Sequence, residues 1–256
     1  MKKKILAFTL VIAMLAICFG ATYAYFTDID EAKNVMVIGE VDIEQTEWQR
    51  DEDGNFEAFE QGKDMFPGVY ENGSAALTKV YFNQDGTLNI ADGAAWCGMW
   101  SESAEQYNAI DKIVVVQNTG KNDVYYRTLI AIESPDGQYT GSWDPNAGNA
   151  DLIFNYNDNN RFEWSFNIGT IEVDGVKYVL HEALYKEVLA PEEMSRPSLL
   201  QLMFTKETTQ ADVAAFGETL DILCVTQAVQ TAGFADANTA LDAAFGDITT
   251  TNHPWN

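Results

Sequence analysis

The stretch "DKIVVVQNTGKNDVYYRTLIAIE", Asp111 to Glu133, decides the fold. Two runs rich in β-branched and aromatic residues, Lys112–Gln117 and Val124–Glu133, flank the polar segment "NTGKND". Val, Ile and Tyr suit a pleated, half-buried surface, and Asn, Gly and Asp suit a chain reversal. The stretch predicts two strands joined by a turn. In the second run Val124, Tyr126, Thr128, Ile130 and Ile132 share one face, because strand side chains alternate.

The same grammar repeats outward. "LIFNYNDNNRFEWSFNIGTIEVDGVKYVLHEAL" reads as strands, with Phe162, Trp164, Phe166 and Ile168 alternating. Asp174-Gly175 is a two-residue hairpin turn between "TIEV" and "VKYVL". Strands are also expected at Val35–Glu44, Ala76–Phe82 and Leu199–Thr205, and "TLDILCVTQAVQ" is a long alternating one. Pro67-Gly68 marks a turn. "RDEDGNFEAFEQGKD" and "SPDGQYTGSWDPNAGNAD" read as loops, and residues 83–108 as irregular. "TTQADVAAFG" is a short helix or a loop. "DANTALDAAFG" predicts a helix: Asp236 caps it, Ala240, Leu241, Ala244 and Phe245 form its apolar stripe, and Gly246 ends it. Many short strands separated by turns predict an all-β, antiparallel β-sandwich with one or a few short helices.

The chain opens Met1-Lys2-Lys3-Lys4, then "ILAFTLVIAMLAICFGATYAYF". A basic start, an apolar run from Ile5 to about Phe19 and a small-residue exit fit a secretory signal peptide. Thr22 and Ala24 fit a cut between Ala24 and Tyr25. Residues 1–24 are then leader and 25–256 a single sandwich domain opening with the strand at about 35–44; no linker divides it. The alternative is an uncleaved anchor, since Ile5–Phe26 is long enough to span a bilayer. Ile17 before Cys18 argues against lipid attachment, which usually needs a small residue there.

The chain carries 15 basic and 39 acidic residues, a net charge of −24, and loses three lysines with the leader to reach −27. Such a surface repels nucleic acid and anionic lipid, and it leaves the membrane a role only through the leader before cleavage. With 46% apolar and 12% aromatic residues there is enough to build a core. Export makes a Cys97–Cys224 disulfide possible; two buried free thiols are the alternative.

Catalytic patterns fare poorly. A zinc peptidase helix needs two His one turn apart with a Glu beside the first. Here "HEALY" offers His181 and Glu182, but Tyr185 stands where the second His is needed, and the other His is His253 in the tail. His181 is expected at a surface or sheet edge. Ser142, in "TGSWD", lacks a nucleophile-elbow context. No metal site is expected beyond weak calcium candidates: Asp51 and Asp53 in "DEDGN", and Asn155, Asn157 and Asp158 in "NYNDNN". Both lack the full EF-hand pattern, so solvated loops are the plainer reading and no cofactor is required. Trp96, Trp100 and Trp143 fall in or near expected loops, where aromatics stack on sugars or pin a loop to the core.

One set of motifs resembles a known family. "AYFTD" (Ala24–Asp28) after a short leader, followed by "IGEVDI" (Ile38–Ile43), resembles the exported substrates of SipW-type signal peptidases in Gram-positive bacteria, the TasA/camelysin (CalY) family. "MFPG" (residues 65–68), "IVVVQNTGKNDVYYRTLIAI" and "LDILCVTQAVQTAGF" are similar to further family segments, though Val69 stands where an acid is common. The resemblance covers the first 50 residues, the middle and the last 40. It implies a jelly-roll-like sandwich, secreted and kept at the cell surface or in the biofilm matrix, with a SipW-type peptidase and matrix components as partners. It also implies fibre assembly, in which the freed N-terminal strand of one subunit completes the sheet of the next. That donor would be about Phe26–Glu44, with Val35, Val37, Val41 and Ile43 pointing inward; the alternative is that the strand pairs within its own sheet. A camelysin-like metallopeptidase and an adhesin or carbohydrate-binding module are the other functions weighed.

Overall fold

The computed structural model describes residues 27–30, 35–38, 40–50, 56–59, 80–82, 88–90, 110–135, 141–142, 152–155, 161–204, 210–216 and 220–256. The opening stretch is its centre. β8 (Ile113–Asn118) and β9 (Val124–Glu133) flank the "NTGKND" turn. They do not pair with each other, however: they belong to opposite layers of a β-sandwich.

The first layer is six-stranded, in the order β1-β2-β15-β9-β13-β12. Its strands are β1 (Thr27–Asp30), β2 (Val35–Ile38), β15 (Ile222–Gln230), β9, β13 (Val176–Tyr185) and β12 (Phe162–Val173). All pairs are antiparallel except β2 on β15, which is parallel. The second layer holds the order β4-β3-β8, with β3 (Ile43–Arg50) and β4 (Phe56–Ala58), and the order β10-β11-β14-β7. The latter comprises β7 (Ile110–Asp111), β10 (Gly141–Ser142), β11 (Leu152–Asn155) and β14 (Gln201–Phe204). Backbone bonds stitch β8 to the segment that leads into β14: Val114 N donates to Leu199 O at 3.1 Å and Ser195 N to Val116 O at 2.8 Å. A separate pair joins β5 (Val80–Phe82) to β6 (Leu88–Ile90).

Two apolar clusters glue the layers. One joins Phe59, Val114 and Leu202 to Ile130, Ile132, Ile222 and Cys224. The other joins Ile43 and Val116 to Val124, Tyr126, Ala183, Tyr185 and Ala228. Each fully buried Leu, Ile or Val here contributes about 1.5–3 kcal/mol. Outside the first layer lies a third element. The helix over Ala237–Phe245 (α2) is capped by Asp236, whose carboxylate accepts from Thr239 N at 2.8 Å, and closed by Gly246. It covers Tyr125, Leu184 and Val229, while Ile248 and Trp255 of the tail pack over Ala131, Ile171, Tyr178 and Leu180. Both faces of β9 are therefore buried. The other helix, α1, spans Gln210–Ala215.

Several expectations need correction. Val35–Glu44 is not one strand: β2 ends at Ile38 and β3 starts at Ile43 in the other layer. The acidic segment at 50–64 is not all loop, because Arg50 lies in β3, Phe56–Ala58 forms β4 and Phe59 is in the core. Leu88–Ile90 is a strand within the stretch read as irregular, and Gly141–Ser142 is a short strand parallel to β11. The expected antiparallel sandwich stands, with β2 on β15 and β10 on β11 as its parallel pairs among the described strands. Ile168 leaves the face of Phe162 and Trp164 and packs on the outer cluster. The cause is a bulge: Ser165 pairs with Glu182 and Gly169 with Leu180, so three residues face His181 alone. The Pro67-Gly68 turn lies outside the described residues.

Candidate functional site: the N-terminal edge strand and its crossover

β2 holds to the body through a short ladder, Val35 opposite Thr226 through Ile38 opposite Val229. β1 folds back on β2, with Thr27 opposite Ile38. The chain then crosses layers. Val41 packs beside the Tyr126 cluster, and Ile43, 2% exposed, sits inside it. Of the four expected donor positions, Val35 and Val37 lie in β2, whereas Val41 and Ile43 belong to the crossover and to β3. Within the single chain the expected strand is thus divided between two sheets, with Ile43–Trp48 bonded to β8.

The "NTGKND" turn grips the crossover. Asn122 Nδ2 donates to Glu40 O at 2.8 Å, and Gly120 N to Asp42 O at 2.9 Å. Asn118, fully buried, braces the turn: its Nδ2 donates to Asn122 O at 2.8 Å and to Leu189 O at 2.9 Å, and its Oδ1 accepts from Gly120 N at 3.0 Å. A Cβ on Gly120 would meet Asp42 N at 3.0 Å, so close backbone approach selects glycine here.

Buried polar groups elsewhere serve the scaffold. Arg127, 1% exposed, donates Nε to Gln227 at 2.8 Å, Nη1 to Glu182 at 3.2 Å and to Asp242 at 3.0 Å, and Nη2 to Gly246 O at 2.8 Å. It thereby pins the C-terminal end of α2 to the sheet, where a cation favours the helix dipole. Burial raises the Glu182 carboxyl, against the pull of Arg127. Across the layers, Thr226 Oγ1 donates to Gln45 at 2.7 Å and lies 3.2 Å from Thr128 Oγ1. Lys112 pairs with Glu47 in the interior and lies over the Phe59 ring at 3.8 Å.

The remaining candidate residues divide plainly. Thr22, Ala24, Tyr25, Asp51, Asp53, Cys97, Asn157, Asp158, Trp96, Trp100 and Trp143 lie outside the described residues. Asn155 is a β11 residue paired with Gln201. Among the described residues, no group of three or more His, Cys, Asp or Glu is placed to hold a metal. His181 is not at the surface: it is 1% exposed on β13, accepts from Asn167 N at 3.1 Å, and is pushed down to about 3 by burial. Its segment is a strand, so Tyr185 is a packing residue stacked on Tyr126 rather than one turn of a metal-binding helix. Cys224 carries a buried free thiol, pushed up to about 12 chiefly by burial. Ser142 lies in β10, and His253 stands 6.2 Å from the Trp255 ring. No helix among the described residues is long and apolar enough to cross a membrane. Sequence reasoning missed the crossover clamp. Its signal was the Asn118–Gly120–Asn122 spacing, which reads as turn chemistry until its partner is known.

Comparison of the chain with protein-family models, with curated proteins and with solved structures gives no match.

Proposed function

We propose that this chain is a secreted, non-catalytic structural protein of the cell surface or biofilm matrix that assembles with copies of itself by donating its N-terminal strand. The reading rests on the exported-leader pattern, the resemblance of "AYFTD" and "IGEVDI" to SipW-dependent fibre proteins, and one structural observation. That observation is the edge position of the β1–β2 hairpin, which is held to the body by a four-residue parallel ladder between β2 and β15. A strand at a sheet edge is the element most readily exchanged between copies, because the same bonds form again on the neighbour. The strongly acidic surface suits an exposed extracellular protein.

The test uses the chain beginning at Tyr25 and a synthetic peptide of residues 27–38. Light scattering should show assembly that grows with protein concentration. Excess peptide should suppress it by occupying the β15 edge. Assembly that ignores the peptide would reject donation of this strand.

A further inference from the structure

We propose that the β8–β9 turn is a clamp that fixes where the donated arm ends: the arm is residues 27–38, and everything from Glu40 onward stays on its own body. The inference deepens the strand-donation reading and rests on it for its biological use, but the clamp is a property of the single chain.

On one side of the joint, β2 has the parallel ladder from Val35 to Ile38 and the return strand β1. β15 pairs with β9 on its other side, along a nine-residue antiparallel ladder in which β2 takes no part. Withdrawing the arm therefore removes an edge and leaves the centre of the sheet intact. On the other side, the holds are dense within a few residues. Glu40 O and Asp42 O each take a turn donor, and Gly120 N is shared between Asp42 O and Asn118 Oδ1. Asn118 is itself locked by two carbonyls, one from the distant Leu189. Ile43 then enters the inter-layer cluster and opens a six-pair ladder, from Ile43–Asn118 to Trp48–Ile113. Opening past Glu40 would break this clamp and then the core, whereas opening before it breaks only edge pairing.

The consequence concerns the partner, a second copy of this chain. With Glu40 held, the acceptor must offer the β15 edge over Thr226–Val229 close to the donor's own turn, in the same parallel register. An extended chain covers at most about 3.3–3.6 Å per residue, so the short joint allows no long excursion. Neighbouring bodies are then closely stacked rather than strung on a tether.

Hydrogen-exchange mass spectrometry on the chain beginning at Tyr25 tests this. At low concentration, amides of 27–38 should exchange at least tenfold faster than those of 43–50. In Asn122→Ala, exchange of the 40–46 region should speed up about tenfold, while β9 and β15 stay protected; losing one hydrogen bond at the clamp suffices for such a change. Equal exchange of 27–38 and 43–50 in the wild-type chain, or an unchanged 40–46 region in Asn122→Ala, overturns the clamp. A separable arm in a chain that never assembles supports the clamp while rejecting strand donation. Assembly with no separable arm does the reverse.

Discussion

Replacing Arg127 by Met isolates the largest buried polar node in the sheet. The side chain is 1% exposed and bonds Gln227, Glu182, Asp242 and the Gly246 carbonyl. Met fills similar volume but strands two carboxylates, an amide and a helix-end carbonyl. Removing one partner of a buried charge network costs about 3–5 kcal/mol. For a chain of this size that is a fall in Tm of roughly 6–20 °C. The pH dependence sharpens the test. A carboxyl raised on folding, as burial raises Glu182, contributes stability that is present at low pH and lost as pH rises through its folded pKa. Arg127 opposes that rise, so its loss lifts Glu182 further. The deficit of Arg127→Met should therefore be larger near pH 7 than near pH 5, because a Glu182 carboxyl lifted further by the loss of Arg127 is relieved by protonation as pH falls. Urea unfolding at both values, with the denaturant slope unchanged, reads this directly. A deficit under about 1 kcal/mol, or one independent of pH, would refute the assignment of Arg127 as the charge-neutralising pin.

Three further outcomes are expected. Gly169→Ala should cost about 1–3 kcal/mol, because a Cβ there would lie 2.3 Å from Thr250 Cγ2 at a φ of +156°; shortening Thr250 to Ser should recover part of the loss in the double variant. The Cys224 thiol should resist aqueous alkylating reagents in the folded protein and react on unfolding; rapid labelling under native conditions would contradict its burial among Phe59, Ile130 and Ile222. His181 is held neutral by burial, so it contributes stability that is present above its ordinary pKa and lost as pH falls toward about 3. His181→Leu should flatten that acid limb of the stability curve, and an unchanged limb would place the sensitivity elsewhere.

Much of the sandwich was readable because it obeys local rules. The Asp174-Gly175 turn has φ values of 50° and 85°, the doubly positive pair that tight hairpins need. Asp236 and Gly246 bracket the C-terminal helix as cap chemistry requires. What local rules do not carry is the partner. In "VMVIGEVDIE" Val35, Val37, Val41 and Ile43 keep one period-two register, so nothing in its periodicity reveals that its halves join different sheets. Neither does alternation announce the bulge at Asn167, whose φ of 56° redirects Ile168 to the outer face. His181 looked exposed because a His beside a Glu is usually wet; a backbone amide from the bulge satisfies its Nδ1 inside the core. The tail "TTTNHPWN" is mostly polar in sequence. Yet Asn252 Nδ2 bonds Phe245 O at 3.0 Å and Trp255 covers the sheet, contacts that depend on where a distant surface lies. The candidate site was half legible: the first strand stood out, but its boundary required the turn that grips it.

The most direct measurement compares two chains by size-exclusion chromatography and negative-stain microscopy, one beginning at Tyr25 and one at Glu40. The second lacks β1 and β2 but retains the clamp, β3 and both inter-layer clusters. Strand donation requires fibres or concentration-dependent oligomers from the first, and folded monomers with an open β15 edge from the second. Equal assembly by both chains, or folded monomers from both at high concentration, would contradict it.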